Sequence, residues 1–130
     1  MILIIGGACQ GKREFACELS GLKKEEFAQN VADGGTDEPE MAWERKFLIG
    51  FHRWIYRILE IGRESEELVR KILAADPEIV TMDEVGYGIV PVGRREREYR
   101  EAVGHAGQLL AEHASQVYRV VCGIPKRIKG

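Results

Sequence analysis

The sequence predicts an α/β fold: a mostly parallel sheet flanked by helices, built as a single domain over residues 1–130. Three observations point there. A β-branched apolar run at residues 2–5 passes directly into a glycine-rich turn and then into a segment of helical pattern. Strand-length apolar runs alternate with amphipathic segments through the rest of the chain, which implies parallel strands joined by helical crossovers. A length of 130 residues supports one hydrophobic core and hardly two.

The first strand, residues 2–5, delivers the chain into Gly6-Gly7-Ala8-Cys9-Gln10-Gly11-Lys12. This is the G-x-x-x-x-G-K core of a phosphate-binding loop, so the expected fold is P-loop NTPase-like. Each residue type has a physical reason. Glycines let the backbone curl until several N–H groups face one anion. The helix opening at Gly11 adds the positive end of its dipole, and Lys12 supplies a mobile charge for the outer phosphates. The motif ordinarily ends in Ser or Thr, whose hydroxyl holds magnesium; here Arg13 stands in that place. The loop residues Gly6 to Arg13 are therefore the expected contacts of a nucleotide's phosphates, with Mg2+ placed in question by Arg13.

A first helix is expected over residues 12–19, stopped near Ser20-Gly21. Residues 22–32 read either as a helix or as a charged turn followed by a short strand at 27–32. Asp33-Gly34-Gly35-Thr36 reads as a loop. Acidic residues around Pro39 suit the first turn of a long second helix over residues 39–62. Its apolar stripe (Phe47, Leu48, Phe51, Trp54, Ile55, Ile58, Leu59) exceeds what a small sheet covers, which predicts a homo-oligomer. Arg45, Lys46, Arg53, Arg57 and Arg63 read as a solvated face, or else as a patch for an anionic ligand. His52 neighbours the stripe and reads as a packing or surface residue rather than a nucleophile. A third helix (64–75), a strand (78–82), a helix (94–114) and a strand (117–121) follow, and the basic PKRIKG closes the chain. Gly104 and Gly107 sit inside a helix, where close packing or ligand approach would justify their cost.

In parallel sheets ligands bind at the carboxyl ends of the strands, so the Gly6 loop, Asp33 and Asp83-Glu84 should share one rim. Phosphoryl transfer is mostly positioning and charge neutralisation. Lys12 and Glu84 are the candidate catalytic residues; Glu84 would orient an acceptor hydroxyl or a metal-bound water, or else anchor the loop after it. Asp33 is the candidate carboxylate for the magnesium water shell, or else a turn aspartate. Arg94 and Arg97, at the start of a helix, would clamp phosphate, or else pair with Glu96 and Glu98 on the surface.

Composition narrows the partners. A formal net charge of −2, with 45% hydrophobic and 31% charged residues, is that of an ordinary soluble protein and advertises neither nucleic acid nor membrane. No apolar run has membrane-spanning length, and the amino-terminal run is short and lacks a basic leader, so a cytoplasmic protein is expected. Three cysteines without paired metal spacing argue for reduced thiols. Cys9 is either a small residue that fits the loop or a thiolate favoured by the helix terminus. Cys17 and Cys122 read as core.

The segment Glu84-Val85-Gly86-Tyr87-Gly88-Ile89-Val90-Pro91 resembles the E-V-G-x-G-I-V-P signature of the adenosylcobinamide kinase / adenosylcobinamide-phosphate guanylyltransferase family. Arg94, Arg97, Arg100-Glu101, Gly104, Gln108, Leu110 and Ala111 continue the likeness. The stretch from Val117 to Ile124 resembles the family's last strand and turn, and Gly6-Gly7-Ala8 its G-G-A-R-S-G-K-S loop. The resemblance implies a P-loop fold, ATP or GTP binding, phosphorylation of the hydroxyl on the cobinamide aminopropanol arm, adenosylcobinamide as partner, and a small homo-oligomer. Four departures stand out. Arg13 replaces the magnesium-binding serine, Cys9-Gln10 replaces Arg-Ser, and Gly107 replaces an asparagine. The segment that carries the family's guanylylated histidine has no counterpart. The expectation is a nucleotide-binding protein of cobalamin biosynthesis with a kinase-type site and without the guanylyltransferase half. The alternative is a non-catalytic or regulatory descendant.

Overall fold

A computed structural model of the chain describes residues 1–84 and 93–130. Six strands form one sheet in the order β2-β3-β4-β1-β5-β6. In chain order the elements are β1 (Ile2–Gly6), α1 (Lys12–Ser20), α2 (Lys24–Gln29), β2 (Val31–Asp33), a 3-10 turn (Pro39–Trp43), β3 (Phe47–Ile49), α3 (Phe51–Glu60), α4 (Glu66–Ala75), β4 (Ile79–Asp83), α5 (Arg94–His113), β5 (Gln116–Val121) and β6 (Ile124–Lys129). The first five strands of the order run parallel and β6 runs antiparallel to β5. This is the expected α/β architecture of the P-loop NTPase class.

The pleat divides the core in two. On one face Ile4, Phe47, Ile79 and Val120 meet Ala16 of α1 and Phe27 of α2; the Phe27 and Phe47 rings stack at 4.8 Å. On the other face Leu3, Leu48, Val80 and Val117 meet the apolar sides of α3, α4 and α5. In α3 Phe51, Trp54, Ile55 and Ile58 recur at helical spacing and point into this core, while Arg53 stays exposed.

The continuous helix expected over residues 39–62 does not form. The stretch is a 3-10 turn, then the strand Phe47–Ile49, then α3. Gly50, at φ +72°, makes the break between strand and helix, a left-handed conformation that glycine enters without steric cost. The apolar stripe that predicted self-association is consumed by the chain's own core, with Phe47 1% and Trp54 0% exposed. Residues 22–32 form the helix Lys24–Gln29 and then the strand Val31–Asp33, so the strand expected at 27–32 starts four residues late and Phe27 belongs to the helix. The basic tail is also a strand. β6 pairs along β5 with every residue exposed, so backbone hydrogen bonding rather than burial holds it. Cys122 is not core but exposed in the β5–β6 turn, and Cys17 is half-buried. The glycine-rich signature segment, residues 85–92, lies outside the described residues.

Register sets the geometry of the rim. Gly6 lies opposite Asp83 on one side and Val120 on the other. Asp33 lies opposite Ile49. The carboxyl ends of β1, β4, β3 and β2 therefore open onto one edge, with the amino terminus of α1 above it.

Candidate functional site

The glycine loop keeps its form for steric reasons. A Cβ on Gly6 would stand 2.5 Å from the Val120 carbonyl oxygen, so β1 and β5 approach too closely for a side chain. Gly11 caps α1 at φ +93°, and a Cβ there would meet Gly123 Cα at 3.3 Å. Gln10 ties the loop to the β5–β6 turn: its Oε1 accepts the Cys122 N–H, and its carbonyl accepts the Gly123 N–H at 2.9 Å. No side chain caps the amino terminus of α1, which leaves its first N–H groups to water or to an anion.

Lys12 is folded into this cradle. Its Nζ donates to the Gly7 carbonyl and stands 2.7 Å from Asp83 Oδ1, with the two side chains 9% and 22% exposed. Asp83 ends β4 on the strand next to the loop. Its backbone N–H donates to His52 Nδ1 at 3.0 Å. That bond requires an unprotonated Nδ1 and so places the imidazole proton on Nε2, 3.4 Å from Asp83 Oδ2. Burial holds the His52 pKa below its ordinary value; the Asp83 carboxylate pulls it back up, and Arg53 and Lys12 push it further down.

Opposite the loop, the turn after β2 is pressed against α3. Gly34 N–H donates to Ile49 O at 2.8 Å, and a Cβ on Gly34 would lie 2.1 Å from Gly50 O. Arg57 Nη1 donates to the carbonyls of Gly34 at 2.9 Å and Asp37 at 2.6 Å. Asp33 Oδ1 accepts the Gly35 N–H at 2.8 Å, and the Asp33 N–H donates to Asp37 Oδ2 at 2.7 Å. Thr81, buried on β4, accepts the Gly50 N–H on Oγ1 at 3.0 Å. Between loop and turn lies a cleft of about 240 Å³ whose walls carry Lys12, Arg13, Arg53, Asp33, Asp83 and His52.

Ala8, Cys9, Gln10, Gly11, Lys12, Arg13 and Asp33 thus face one cleft, while Gly6 and Gly7 of the same loop do not line it. Asp33 is both the last residue of a strand and the side-chain anchor of the turn after it. Glu84 is elsewhere. It follows Asp83 on the next position of the strand edge and forms a two-pronged pair with Arg119 of β5, at 2.9 Å and 3.3 Å. Arg94 is 87% exposed and pairs with Glu98 at 3.2 Å, and Arg97 is exposed on the same helix; neither lines the cleft. Arg13 sets its guanidinium 5.8 Å from the centroid of Phe27, over the ring. Sequence reasoning placed Asp83 on the rim without a chemical role, gave Thr81 none, read Arg53 as a solvated face or else as part of a patch for an anionic ligand, and read His52 as a packing or surface residue. Asp83 was legible as the acidic residue closing a buried strand. Arg53 and His52 were hidden because the helix that carries them was assigned the wrong start.

Magnesium fits this cleft poorly as a loop-bound ion. Arg13 supplies no oxygen at the usual hydroxyl position, and Asp83 is engaged by Lys12. Among the described residues no group of three His, Cys, Asp or Glu side chains gathers to hold a metal. The carboxylates that remain on the cleft wall are those of Asp33 and Glu14, and a bound ligand would add its own phosphate oxygens.

A family model for cobinamide kinase / cobinamide phosphate guanyltransferase matches residues 41–128. The chain is 37% identical over 79 residues to the bifunctional adenosylcobalamin biosynthesis protein CobU of Escherichia coli, covering 58% of this chain and 44% of that protein. It is 33% identical over 99 residues to the protein of the same name from Salmonella typhimurium, covering 74% and 48% respectively. With the bifunctional adenosylcobalamin biosynthesis protein CobP of Pseudomonas aeruginosa it shares 36% identity over 52 residues, 40% of this chain and 30% of that one. The chain spans about half the length of the first two relatives. Sheet order, loop geometry and the match over residues 41–128 lead to one conclusion: the chain belongs to the cobinamide kinase / cobinamide phosphate guanyltransferase family.

Proposed function

We propose that the chain binds a nucleoside triphosphate, ATP or GTP, on the loop Gly6 to Arg13 and serves cobalamin biosynthesis by moving the terminal phosphoryl group to the aminopropanol hydroxyl of adenosylcobinamide. One observation carries the reading. A buried ammonium, Lys12, stands beside the uncapped amino terminus of α1 and is held 2.7 Å from Asp83, the arrangement that a polyphosphate completes. A phosphate takes Asp83's place on Lys12. The released carboxylate then accepts the proton of the acceptor hydroxyl as the new oxygen–phosphorus bond forms and the nucleoside diphosphate leaves. The Nε2–H of His52 faces Asp83 and steadies its orientation. In this reading Asp83 takes the role expected of Glu84, which the Arg119 pair holds in place as an anchor. Asp33 is the carboxylate to which a cation arriving with the triphosphate would present its water shell. In this reading the guanylyltransferase half is lost, and the protein works in the cytoplasm without nucleic acid. No helix among the described residues is long and apolar enough to cross a membrane.

A second reading keeps nucleotide binding and drops catalysis. It is favoured by Arg13, which provides no hydroxyl for magnesium and packs on Phe27. Calorimetry with ATP and GTP, with and without magnesium, followed by transfer of radiolabelled phosphate to adenosylcobinamide, separates the two. Transfer supports the kinase reading. Binding indifferent to magnesium, with no transfer, supports the second. No heat with either triphosphate overturns both.

A further inference from the structure

The wall of the cleft opposite Lys12 belongs to α3 and to the turn after β2, outside the glycine-loop motif. Arg53, in the first turn of α3, lies across it. Its side chain runs past Gly50, where a Cβ would stand 3.6 Å from Arg53 Cδ and 3.9 Å from Nε. Its guanidinium then covers Gly35, where a Cβ would come within 2.7 Å of Nη1. Two residues without side chains thus form a slot that the arginine fills. Asp33 Oδ1, pinned by the Gly35 N–H, borders the slot at 3.3 Å from the same Cβ position. Sheet order adds the direction. The loop sits on β1, Asp83 ends the adjacent β4, and the slot lies beyond it over β3 and β2. A triphosphate threaded through the loop amides toward Lys12 and Asp83 therefore points its last phosphate at Arg53. Arg13 also lines the cleft, but from the loop side, with its guanidinium over the Phe27 ring.

We propose that Arg53 is a phosphate-binding residue of this site: its planar guanidinium grips the terminal phosphate from the side opposite Lys12, and Gly35 is the positioning residue that keeps its slot open. The inference rests on the nucleotide reading above. A bidentate guanidinium–phosphate contact neutralises charge that a loop-bound magnesium would otherwise carry.

The test is calorimetry of wild type, Arg53→Ala, Arg53→Lys and Gly35→Ala with ATP, GTP, ADP and GDP, without added magnesium. Arg53→Ala should weaken triphosphate binding about ten- to a hundredfold and diphosphate binding by less than about threefold. Arg53→Lys should recover part of the loss, because it keeps the charge and loses the fork. Gly35→Ala should shift affinity in the same direction as Arg53→Ala and add little to it in the double variant. A triphosphate-to-diphosphate affinity ratio equal in wild type and Arg53→Ala overturns this inference and leaves the nucleotide reading standing. A wild type that binds neither triphosphate overturns the nucleotide reading itself. Thermal unfolding of each variant checks the fold, and Arg53→Lys carries the test should Arg53→Ala unfold.

Discussion

Asp83→Asn removes the charge that holds Lys12 while keeping the size of the side chain and the backbone N–H that binds His52. The Lys12–Asp83 pair stands at 2.7 Å. At an effective dielectric of about 20 the gross attraction at that distance is about 6 kcal/mol. Desolvation of both groups offsets most of it, and the partial exposure of Asp83 screens part of the remainder, leaving a net of about 1–2 kcal/mol. Urea unfolding of the ligand-free variant, followed by circular dichroism, should show that loss at unchanged m. A triphosphate must break the same pair to reach Lys12. The variant should therefore bind ATP or GTP about five- to thirtyfold more tightly in calorimetry without magnesium, while phosphoryl transfer falls. The two signs oppose each other: less stable when empty, tighter when loaded. Weaker triphosphate binding at wild-type stability would refute the reasoning, because Asp83 would then be holding ligand rather than competing with it.

Gly34→Ala should destabilise the fold by about 2–4 kcal/mol in urea melts. Its Cβ would meet the Gly50 carbonyl oxygen at 2.1 Å, a backbone atom that cannot rotate away. Gly35→Ala meets the Arg53 side chain and the Asp33 carboxylate rather than backbone, so its cost should be smaller. His52 makes stability pH-dependent. Its folded pKa lies below the ordinary 6.5, so the unfolded chain binds the proton first as pH falls. The contribution is complete above about pH 6.5 and declines below it, until the pH passes the folded value. Melts from pH 8 to 5 should show that slope, and His52→Gln should flatten it. Arg13→Ser restores a hydroxyl to the first turn of α1 and removes the contact with Phe27. Calorimetry with and without magnesium should show nucleotide affinity becoming magnesium-dependent, and unfolding should show a loss of about 0.5–1 kcal/mol.

Much of the architecture was present in local pattern. A β-branched run, a glycine loop and a lysine placed β1, the cradle and the start of α1, because each needs only neighbouring residues to specify its backbone. α4, β4, α5 and β5 were legible for the same reason. β3 was not. Phe47, Leu48 and Ile49 form an interior strand, with Phe47 buried in one half of the core and Leu48 in the other, so no polar alternation marks it. The apolar positions of α3 follow at once and extend a false helical period backward. Gly50 was the remaining local signal. β6 failed for the opposite reason: its residues are charged and exposed, and only pairing with β5 makes it a strand.

By itself the sequence determined the loop, the strand that feeds it and the class of fold, since short-range sterics and hydrophobic period decide those. The tertiary structure decided which charges face the phosphate cleft. Asp83 meets Lys12 because parallel register sets Gly6 beside the end of β4. Arg53 enters because Gly34 and Gly35 let the turn after β2 close on α3, and Glu84, one residue past the end of β4, is drawn off to Arg119. Such meetings join residues dozens of positions apart, through packing that no local window contains.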